Sequence, residues 1–567
     1  MSADLASLVS PLGVVSGLRP LLPDRGLDLL SHVVAASGDS HTGHHDGNPQ
    51  LGTGRGFDAA LATTVAIAEA AERYVGSYPE ADTVRATAAD LPGAVLDLTR
   101  LPRCSDAEYA HPGCPVVPAD PAAEIRWLRG TDLTTGEPTW VPAVMACYGL
   151  HPEPAERFVF QISTGYAVHV EPRRALLGGL LEVIERDAIA LTWLRRLRLP
   201  LLGPAGSSPA VRYLLDHGRR RFLDNVLFNA TTDLGVPTVY VLQRAPHDAQ
   251  AANLVGAATG RTLADAAEKA LIEIANIRQL FPHGTAPVHG DTRFTDIMDG
   301  ARYMAVAQRA EAFAFLTEDL ARRPTSDDCR ELPADPAEAL AVVLDRLRGI
   351  GAQAVCVDRT SAELRRVGLV ALTVVVPQLQ PMSLAPLAQF RAHPRLAEAP
   401  AAMGVPASPN RSRTRGRSRS PDRDGGRRRG EFGHAVQARL LAAGATPLDA
   451  DRPEPGGARA MVLVSWRPEP DRAQRFDELA SRAGIGWLPV VVEHPWLIAG
   501  PGWPPAAPAT TATPSAGNST TRRRGTARRC WPRTAPTTDS AFTAICRTMC
   551  APPRRWPSSC CSTRSRA

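Results

Sequence analysis

Lysine and long apolar runs are almost absent from this chain of 567 residues. Lys269 is the single lysine, and arginine supplies the other basic side chains. A membrane-spanning helix needs roughly 18–20 consecutive apolar residues, and the most apolar stretch, 370–376, is much shorter. The amino-terminal segment has no basic region followed by a continuous apolar run, so we expect no secretory signal. These absences predict a cytoplasmic protein that is not associated with a membrane.

Cysteines with paired ligand spacing are also absent. Five of the ten cysteines lie in the last 38 residues, and the others are scattered. This distribution excludes a disulfide framework and a zinc site of the usual spacing. The pairs Cys546/Cys550 and Cys560/Cys561 lie in a tract without core-forming residues, so we do not expect them to hold a metal.

The net charge of +6 does not describe the whole chain. Residues 405–430 contain nine Arg and two Asp, and residues 502–567 contain eleven Arg and one Asp. The rest of the chain is therefore acidic, and the overall charge gives no reason to expect nucleic-acid binding.

The sequence pattern predicts a mixed α/β (α+β) fold over residues 1–404. Apolar periodicity predicts helices over 61–74, 174–194 and 263–280, and short β-branched runs predict buried strands over 237–243 and 369–378. We expect a disordered Arg/Ser-rich linker over 405–430, a partial globular segment over 431–501, and a disordered tail over 502–567.

The most informative feature is the motif Glu-x-x-Glu-Arg, which occurs on two predicted helices. Its copies are Glu69, Glu72 and Arg73 and, 113 residues later, Glu182, Glu185 and Arg186. Positions i and i+3 share a helix face, so each copy projects two carboxylates side by side. One copy alone would more often be a surface ion pair between Glu and Arg at i+4. Four convergent carboxylates, however, need cations among them, such as Mg²⁺ bound together with phosphate oxygens.

Other segments are compatible with a phosphate ligand. A third helix carries Glu273, Asn276 and Arg278 at i, i+3 and i+5. No G-x-x-x-x-G-K-[S/T] loop is present, so a Walker-type loop is not the nucleotide site. GTGRGF, over 52–57, predicts a Gly-rich turn that could present N–H groups or Arg55 to phosphate, although most such turns are only turns.

In order and spacing, these segments resemble the YcaO family. The segments that carry the resemblance are LVSPLGVV, AEAAERY, STGYAVHVEPRRALLGGLLEVIERDAIALTW, TTDLGVPTVYV, GRTLADAAEKALIEIANIR and VVVPQLQPMSLAPLAQFRAHPRL. The resemblance covers residues 1–404, and the second Glu helix is its most specific part.

The resemblance implies an ATP-binding fold without a Walker loop, with ATP and Mg²⁺ as cofactors. The Mg²⁺ ligands that it implies are Glu69, Glu72, Glu182 and Glu185. The ATP contacts or ion-pair partners that it implies are Ser10, Arg73, Arg186, Glu273, Asn276 and Arg278, with Asn276 in place of the family's usual Gln.

The resemblance also implies a reaction. In azoline-forming members, the side chain of Cys, Ser or Thr in a ribosomal precursor peptide attacks the preceding amide carbonyl. Phosphorylation then turns the former amide oxygen into a leaving group. Two alternatives remain: thioamide formation with external sulfide, and a degenerate scaffold that binds precursor or partner without turning over ATP. The family further suggests a homodimer.

Departures from the family pattern motivate the scaffold alternative. Val65 stands where the family often has Ser, and His169-Val170 stands where many members have Gly-Asn. No Pro-rich carboxyl terminus follows residues 403–407. The general base is not identified; His169 is a candidate, although a lone His is more often structural.

Residues 431–501 resemble part of the ThiF-like cyclodehydratase partner protein, which helps to present the precursor's leader peptide. The resemblance rests on FDELASRAGIGWLPVVVEHPWLIAGP and on GEFGHAVQARLLAAGA, over 430–445. The alternative is an unrelated α/β appendage. A ThiF-like segment joined to a YcaO-like one favours azoline formation.

We interpret the tail, 502–567, as a GC-rich gene read out of frame, because it contains no Leu, Val or Glu. A basic tail that binds nucleic acid is the alternative. Resequencing the gene tests the interpretation. An intact alternative frame that encodes patterned sequence is expected, and its absence would leave the basic tail as the explanation.

Overall fold

The computed structural model describes residues 5–22, 27–38, 51–77, 83–248, 250–281, 297–404, 460–465, 470–483, 485–493 and 496–499. The chain divides into two compact units, Met1–Thr414 and Arg415–Ala567. The predicted linker and tail, and the segment 430–445, lie outside the described residues. Across the described ranges, no helix is long and apolar enough to cross a membrane.

The first unit alternates strands and helices. Its described strands are β1 Val15–Leu21, β2 Ser31–Ser37, β3 Leu51–Gly56, β4 Val84–Ala86, β5 Ala94–Val95, β6 Ile125–Asp132, β7 Pro138–Pro142, β8 Tyr166–His169, β9 Leu201–Leu202, β10 Asp224–Asn229, β11 Thr238–Arg244, β12 Asn253–Thr259, β13 Thr325–Ser326, β14 Val355–Asp358 and β15 Val370–Val375. Its described α-helices are α1 Ala59–Ser77, α2 Asp106–Tyr109, α3 Ala143–Ala146, α4 Pro172–Leu194, α5 Pro209–Arg220, α6 Leu263–Leu280, α7 Ile297–Ala305, α8 Ala314–Thr317, α9 Pro336–Gly349, α10 Ala362–Arg366 and α11 Arg395–Met403.

These strands form three sheets, which confirms the predicted mixed α/β class. Their orders are β1-β2-β3, then β12-β11-β10-β9-β13, then β5-β7-β6-β14-β15-β8 with β4 also paired to β6. Strands β3, β12 and β8 each lie at an edge of their sheet, and each is followed along the chain by a long helix: α1, α6 and α4. The three predicted helices and the two predicted strands are confirmed as α1, α4, α6, β11 and β15.

Glycines on β3 let helix α1 approach that strand closely. A Cβ at Gly54 would lie 1.6 Å from the carbonyl oxygen of Ala62, and a Cβ at Gly52 would lie 2.2 Å from the backbone nitrogen of Ala70. The Gly-rich segment is therefore a strand paired with β2, and the predicted turn is wrong. Gly52 and Gly54 are two residues apart, so both face α1. Since neither has a side chain, the helix can pack closely against the strand.

Alternation along β11 places two cores on opposite faces of the second sheet. Val239 and Val241 pack with α5 and α6, whereas Tyr240 and Leu242 pack with the carboxyl-terminal end of α4. Both faces of the strand are buried, which explains its continuous apolar run.

A buried ion-pair network fixes the segment after β15 to α4. Arg395, at the start of α11, lies 2.8 Å from Asp187 on α4 and 2.6 Å from Asp233. The side chains of Arg395 and Asp187 are 3% and 0% exposed. Asp187 also accepts a hydrogen bond from the backbone N–H of Gln380, at 2.8 Å. Three separate chain segments thus depend on one carboxylate, which the sequence analysis did not single out.

The described strands of the second unit are β16 Ala460–Ser465, β17 Gly486–Glu493 and β18 Trp496–Ala499. β16 and β17 pair in parallel, with the helix Pro470–Ala483 between them in the chain, and β18 pairs antiparallel to β17. Met461, Phe476 and Ala480 form its described core. The ThiF-like resemblance of this segment stays a prediction.

We expect Arg395→Met to lower the free energy of unfolding of the first unit by about 3–5 kcal/mol, because it leaves buried carboxylates without a counter-ion. Arg391→Met is the matched control, since the Arg391 side chain is 54% exposed and lies 3.9 Å from Glu108. Its effect should stay within about 0.5 kcal/mol. Denaturant unfolding measures both, and equal losses in the two variants would contradict the role of the network.

Candidate functional site

Carboxylates of α1 and α4 accept hydrogen bonds from backbone N–H groups beside the edge strands. Glu69 Oε2 accepts from the Thr53 N–H at 2.9 Å and from the Thr53 hydroxyl at 3.1 Å. Glu182 Oε2 accepts from the N–H of Gly165, just before β8, at 3.2 Å. Glu69 therefore caps the edge of β3, and Glu182 binds the residue that precedes β8.

Two further carboxylates bind the edge of β12. Glu185 Oε2 accepts from the Thr259 N–H at 3.0 Å, and Glu273 accepts a hydrogen bond from the Ala257 backbone. Thr259 and Ala257 are two residues apart, so their N–H groups point to the same side of the strand. Helices α4 and α6 thus meet at one edge, and α6 repeats the strand–helix arrangement of the two sequence copies.

Arginines of both copies pair with their own helix. Arg73 lies 3.2 Å from Glu69, and Arg186 lies 3.2 Å from Glu182 and 2.5 Å from Glu185. The ion pair at i, i+4 expected for a surface helix is therefore present in both copies. The four glutamate and arginine side chains of the two i, i+4 pairs are only 23–27% exposed.

A contact between the two copies comes from Ser163, whose hydroxyl accepts a hydrogen bond from Arg73. Ser163 is two residues before Gly165, which donates to Glu182. The segment 163–165 consequently contacts an arginine of the first helix and a carboxylate of the second.

Burial and mutual repulsion raise the pKa values of the clustered carboxyls. Burial, followed by the charge of Glu182, raises the pKa of Glu72 well above its usual value. Burial raises the pKa of Glu182 to about 7, with Arg186 opposing the shift. Burial, followed by the charge of Glu185, raises the pKa of Glu273 to about 7, and burial also raises the pKa of Glu185. The three helices therefore bring their carboxylates within electrostatic reach of one another.

Excess negative charge makes this site suited to cations. Within the described part of the chain, no group of three or more His, Cys, Asp or Glu side chains could by itself hold a metal ion. Mg²⁺ is usually bound by one or two carboxylates together with phosphate oxygens and water. The donor set therefore fits Mg²⁺ that arrives with a phosphate ligand.

The two other α6 residues that the resemblance implied as ATP contacts, Asn276 and Arg278, have different surroundings. Asn276, one helical turn from Glu273, is buried, and its Oδ1 has no hydrogen-bond partner among the described residues. Arg278 donates to Gln243, to Asp248 at 2.9 Å and to the Ala251 carbonyl at 2.8 Å. This buried network accounts for the position of Arg278, and no ATP contact is needed to explain it.

The remaining predicted residues lie outside the carboxylate cluster or at its borders. Ser10 is exposed in the turn before β1, so its phosphate contact stays a prediction. His169 Nδ1 accepts from the Glu171 N–H at 2.9 Å, which is a structural role at the start of α4. Val65 and Val170, which stand where family members often have Ser and Asn, are 41% and 47% exposed. Neither valine side chain is therefore part of the apolar core.

Sequence reasoning missed the backbone donors of the site. Thr53, Gly165 and Thr259 donate through N–H groups, which leave no residue-type signal. Of the three, only Gly165 is constrained in residue type, because its φ of +86° and the 2.2 Å distance from an added Cβ to the Val374 carbonyl oxygen require glycine.

The region of this chain that matches a known protein family includes α1, α4 and α6. A family model described as "YcaO cyclodehydratase", ATP- and Mg²⁺-binding, matches residues 53–380. An uncharacterized protein in the tfuA 3′ region of Rhizobium leguminosarum bv. trifolii is 30% identical over 247 residues, or 40% of this chain and 54% of that protein. An uncharacterized protein of Methanothermobacter thermautotrophicus is 28% identical over 347 residues, or 60% of this chain and 84% of that protein.

A solved "Heterocyclase in complex with substrate and Cofactor" has a similar fold. Its TM-score is 0.57 at 19% identity, and the match covers 72% of this chain and 56% of the heterocyclase. This likeness shows the fold. The chain spans about half the length of the Rhizobium protein and of this heterocyclase.

The raised pKa values predict how stability depends on pH. Folded Glu182 and Glu273 hold their protons up to about pH 7, whereas the unfolded chain releases them near about pH 4.3. The folded state binds more protons in this interval, so stability falls as pH rises from about 5 to about 7. We expect a Glu182→Gln/Glu273→Gln variant to lose part of this dependence in thermal unfolding without divalent cations. An unchanged pH profile in the double variant would contradict the assignment.

Proposed function

The chain belongs to the YcaO family, and we propose that it is an ATP- and Mg²⁺-dependent cyclodehydratase that forms thiazoline or oxazoline from Cys, Ser or Thr of a ribosomal precursor peptide. The observation that carries the proposal is the cluster of partly buried glutamates on α1, α4 and α6, where burial and mutual charge raise the pKa values of Glu72, Glu182 and Glu273. Such a cluster gains most from ligands that bring positive charge.

The residues of the cluster have distinct proposed roles. Glu69, Glu72, Glu182 and Glu185 would hold Mg²⁺, which neutralises charge on the phosphates of ATP. Arg73 and Arg186 keep the glutamates in place through their ion pairs. Their guanidinium groups would also bind a phosphate of the nucleotide. Glu273 and Asn276 would complete the nucleotide side of the site.

The proposed reaction solves a leaving-group problem. The side chain of the peptide attacks the preceding amide carbon, and the oxygen of that amide leaves with the terminal phosphoryl group of ATP. The products are the five-membered ring, ADP and phosphate, so the peptide loses the elements of one water molecule. Phosphoryl transfer needs mainly positioning and charge neutralisation, which a rigid cluster of carboxylates and guanidinium groups provides.

The wider context of the activity is part of the same proposal. Residues 1–404 would form the ATP-dependent domain, and 431–501 would be a partial ThiF-like segment. A ThiF-like protein would present the precursor's leader peptide, and the enzyme would act in the cytoplasm as a homodimer.

Binding of a non-hydrolysable ATP analogue with Mg²⁺ tests the site directly. We expect Glu182→Gln and Glu185→Gln each to weaken binding by at least about 10-fold, because each removes a charge that a cation would contact. Glu171→Gln is the matched control, since Glu171 lies at the start of α4 in an exposed pair with Arg174. Calorimetry should find the control unchanged. Wild-type affinity in both site variants would refute the metal assignment.

A second experiment tests the reaction with a candidate precursor peptide encoded beside the gene and its ThiF-like partner. Loss of the mass of one water per modified residue, with stoichiometric phosphate release, is expected. A gain of sulfur in place of oxygen would indicate thioamide formation. Nucleotide binding without precursor-dependent phosphate release would indicate a binding scaffold.

A further inference from the structure

Helix α4 carries carboxylates on two opposite faces. Glu182 and Glu185 share the face at the carboxylate cluster, and Asp187 follows two residues later. At about 3.6 residues per turn, Asp187 lies on the far side of the helix from both glutamates. Its side chain is fully buried, with 0% exposure. A rotation of α4 that displaced Asp187 would therefore displace both glutamates as well.

Arg395 holds Asp187 through two hydrogen bonds. Its Nε donates to Asp187 Oδ1 at 3.1 Å, and its Nη2 donates to Oδ2 at 2.8 Å. The same guanidinium group donates to Asp233 through Nη1 at 2.7 Å and through Nη2 at 2.6 Å. Two carboxylates thus bind the planar fork of one arginine, and such bidentate contacts fix orientation as well as distance.

Asp233 connects this network to the second sheet. It lies in the loop between β10 and β11, and Thr238, the first residue of β11, pairs with Thr259 of β12. The hydroxyl groups of the two threonines are 2.9 Å apart, and the Thr259 N–H donates to Glu185. The second sheet therefore binds both faces of α4, directly at Glu185 and through the arginine at the opposite face.

The third sheet contacts α4 in the same way. The N–H of Val374, on β15, donates to the Gly165 carbonyl at 2.8 Å, and the Gly165 N–H donates to Glu182. Beyond the end of β15, the Gln380 N–H donates to Asp187 at 2.8 Å. Each sheet thus fixes one glutamate of the site face and also fixes Asp187 on the opposite face.

Stability alone does not account for a buried ion-pair network at this place, because apolar side chains of similar volume often stabilise a core equally well. The bidentate geometry adds a fixed orientation of α4. We propose that Asp187 and Arg395 are positioning residues that set the rotation of α4 and so hold Glu182 and Glu185 in place for a metal ion. This role rests on the proposed function, in which the two glutamates bind Mg²⁺.

Titration of the full chain with Mn²⁺ and a non-hydrolysable ATP analogue tests the role, with bound Mn²⁺ measured by electron paramagnetic resonance well below the unfolding midpoint. Arg395→Lys keeps the charge but loses the planar fork. We expect it to weaken Mn²⁺ binding about 10-fold, as substitutions behind metal ligands commonly do.

Val141→Ala is the control for lost stability. Val141 is buried in a core to which α1, α4 and α6 contribute no described residue. The substitution should lower the unfolding midpoint and leave Mn²⁺ affinity unchanged. A loss of affinity in Val141→Ala as large as that in Arg395→Lys would mean that binding only follows stability, and it would overturn the positioning role.

A neutral network serves if Arg395→Lys does not fold. Asp187→Asn, Asp233→Asn and Arg395→Gln together leave no buried charge without a partner in the network. This triple variant should fold and show the same loss of Mn²⁺ affinity, because amide groups do not reproduce the two bidentate ion pairs. Wild-type affinity in the folded variant would overturn the role.

A double-mutant cycle shows whether the network acts through the glutamates. In a Glu185→Gln background, Arg395→Lys should weaken binding by less than about 3-fold, because the ligand that it positions is already altered. An equal loss in both backgrounds would overturn the role. If the wild type itself binds no Mn²⁺ with the nucleotide, the proposed function fails, and the positioning role fails with it.

Discussion

Backbone N–H groups at the free edges of β3 and β12, and of the residue before β8, donate to glutamate side chains, and the architecture around the site depends on these hydrogen bonds. An exposed strand edge is a template for unwanted pairing. Here the edge of β3 is capped by Glu69, the start of β8 by Glu182, and the edge of β12 by Glu185 and Glu273. The same contacts that protect the edges collect the carboxylates in one place.

The hydrogen bonds between glutamates and backbone N–H groups require close backbone packing, which explains three glycines of the site. Close packing of α1 on β3 needs Gly52 and Gly54, since a Cβ at either position would meet the backbone of the helix. Close approach near β8 needs Gly165 for the same reason. Rigid packing matters because repelling carboxylates would otherwise move apart, and a site for phosphoryl transfer acts through fixed positions.

The helices α1, α4 and α6 could be predicted from the apolar periodicity of the sequence. The carboxylates on them could be identified because the Glu-x-x-Glu-Arg motif is repeated. The glycines of β3 were misinterpreted as a turn, since Gly-rich sequence serves turns and close helix–strand packing equally. The position of Arg278 was not predictable from its spacing, because its partner Asp248 comes from a distant loop. Backbone donors such as the Thr259 N–H leave no trace in residue identity.

The central claim is that the clustered glutamates hold divalent metal together with ATP. Its most direct test is a crystal structure with a non-hydrolysable ATP analogue and Mn²⁺ in place of Mg²⁺, in which anomalous scattering locates the metal. The account predicts metal bound by carboxylates among Glu69, Glu72, Glu182 and Glu185 and bridged to the phosphates. Bound nucleotide with metal at a different place, or with no metal at these carboxylates, would contradict it.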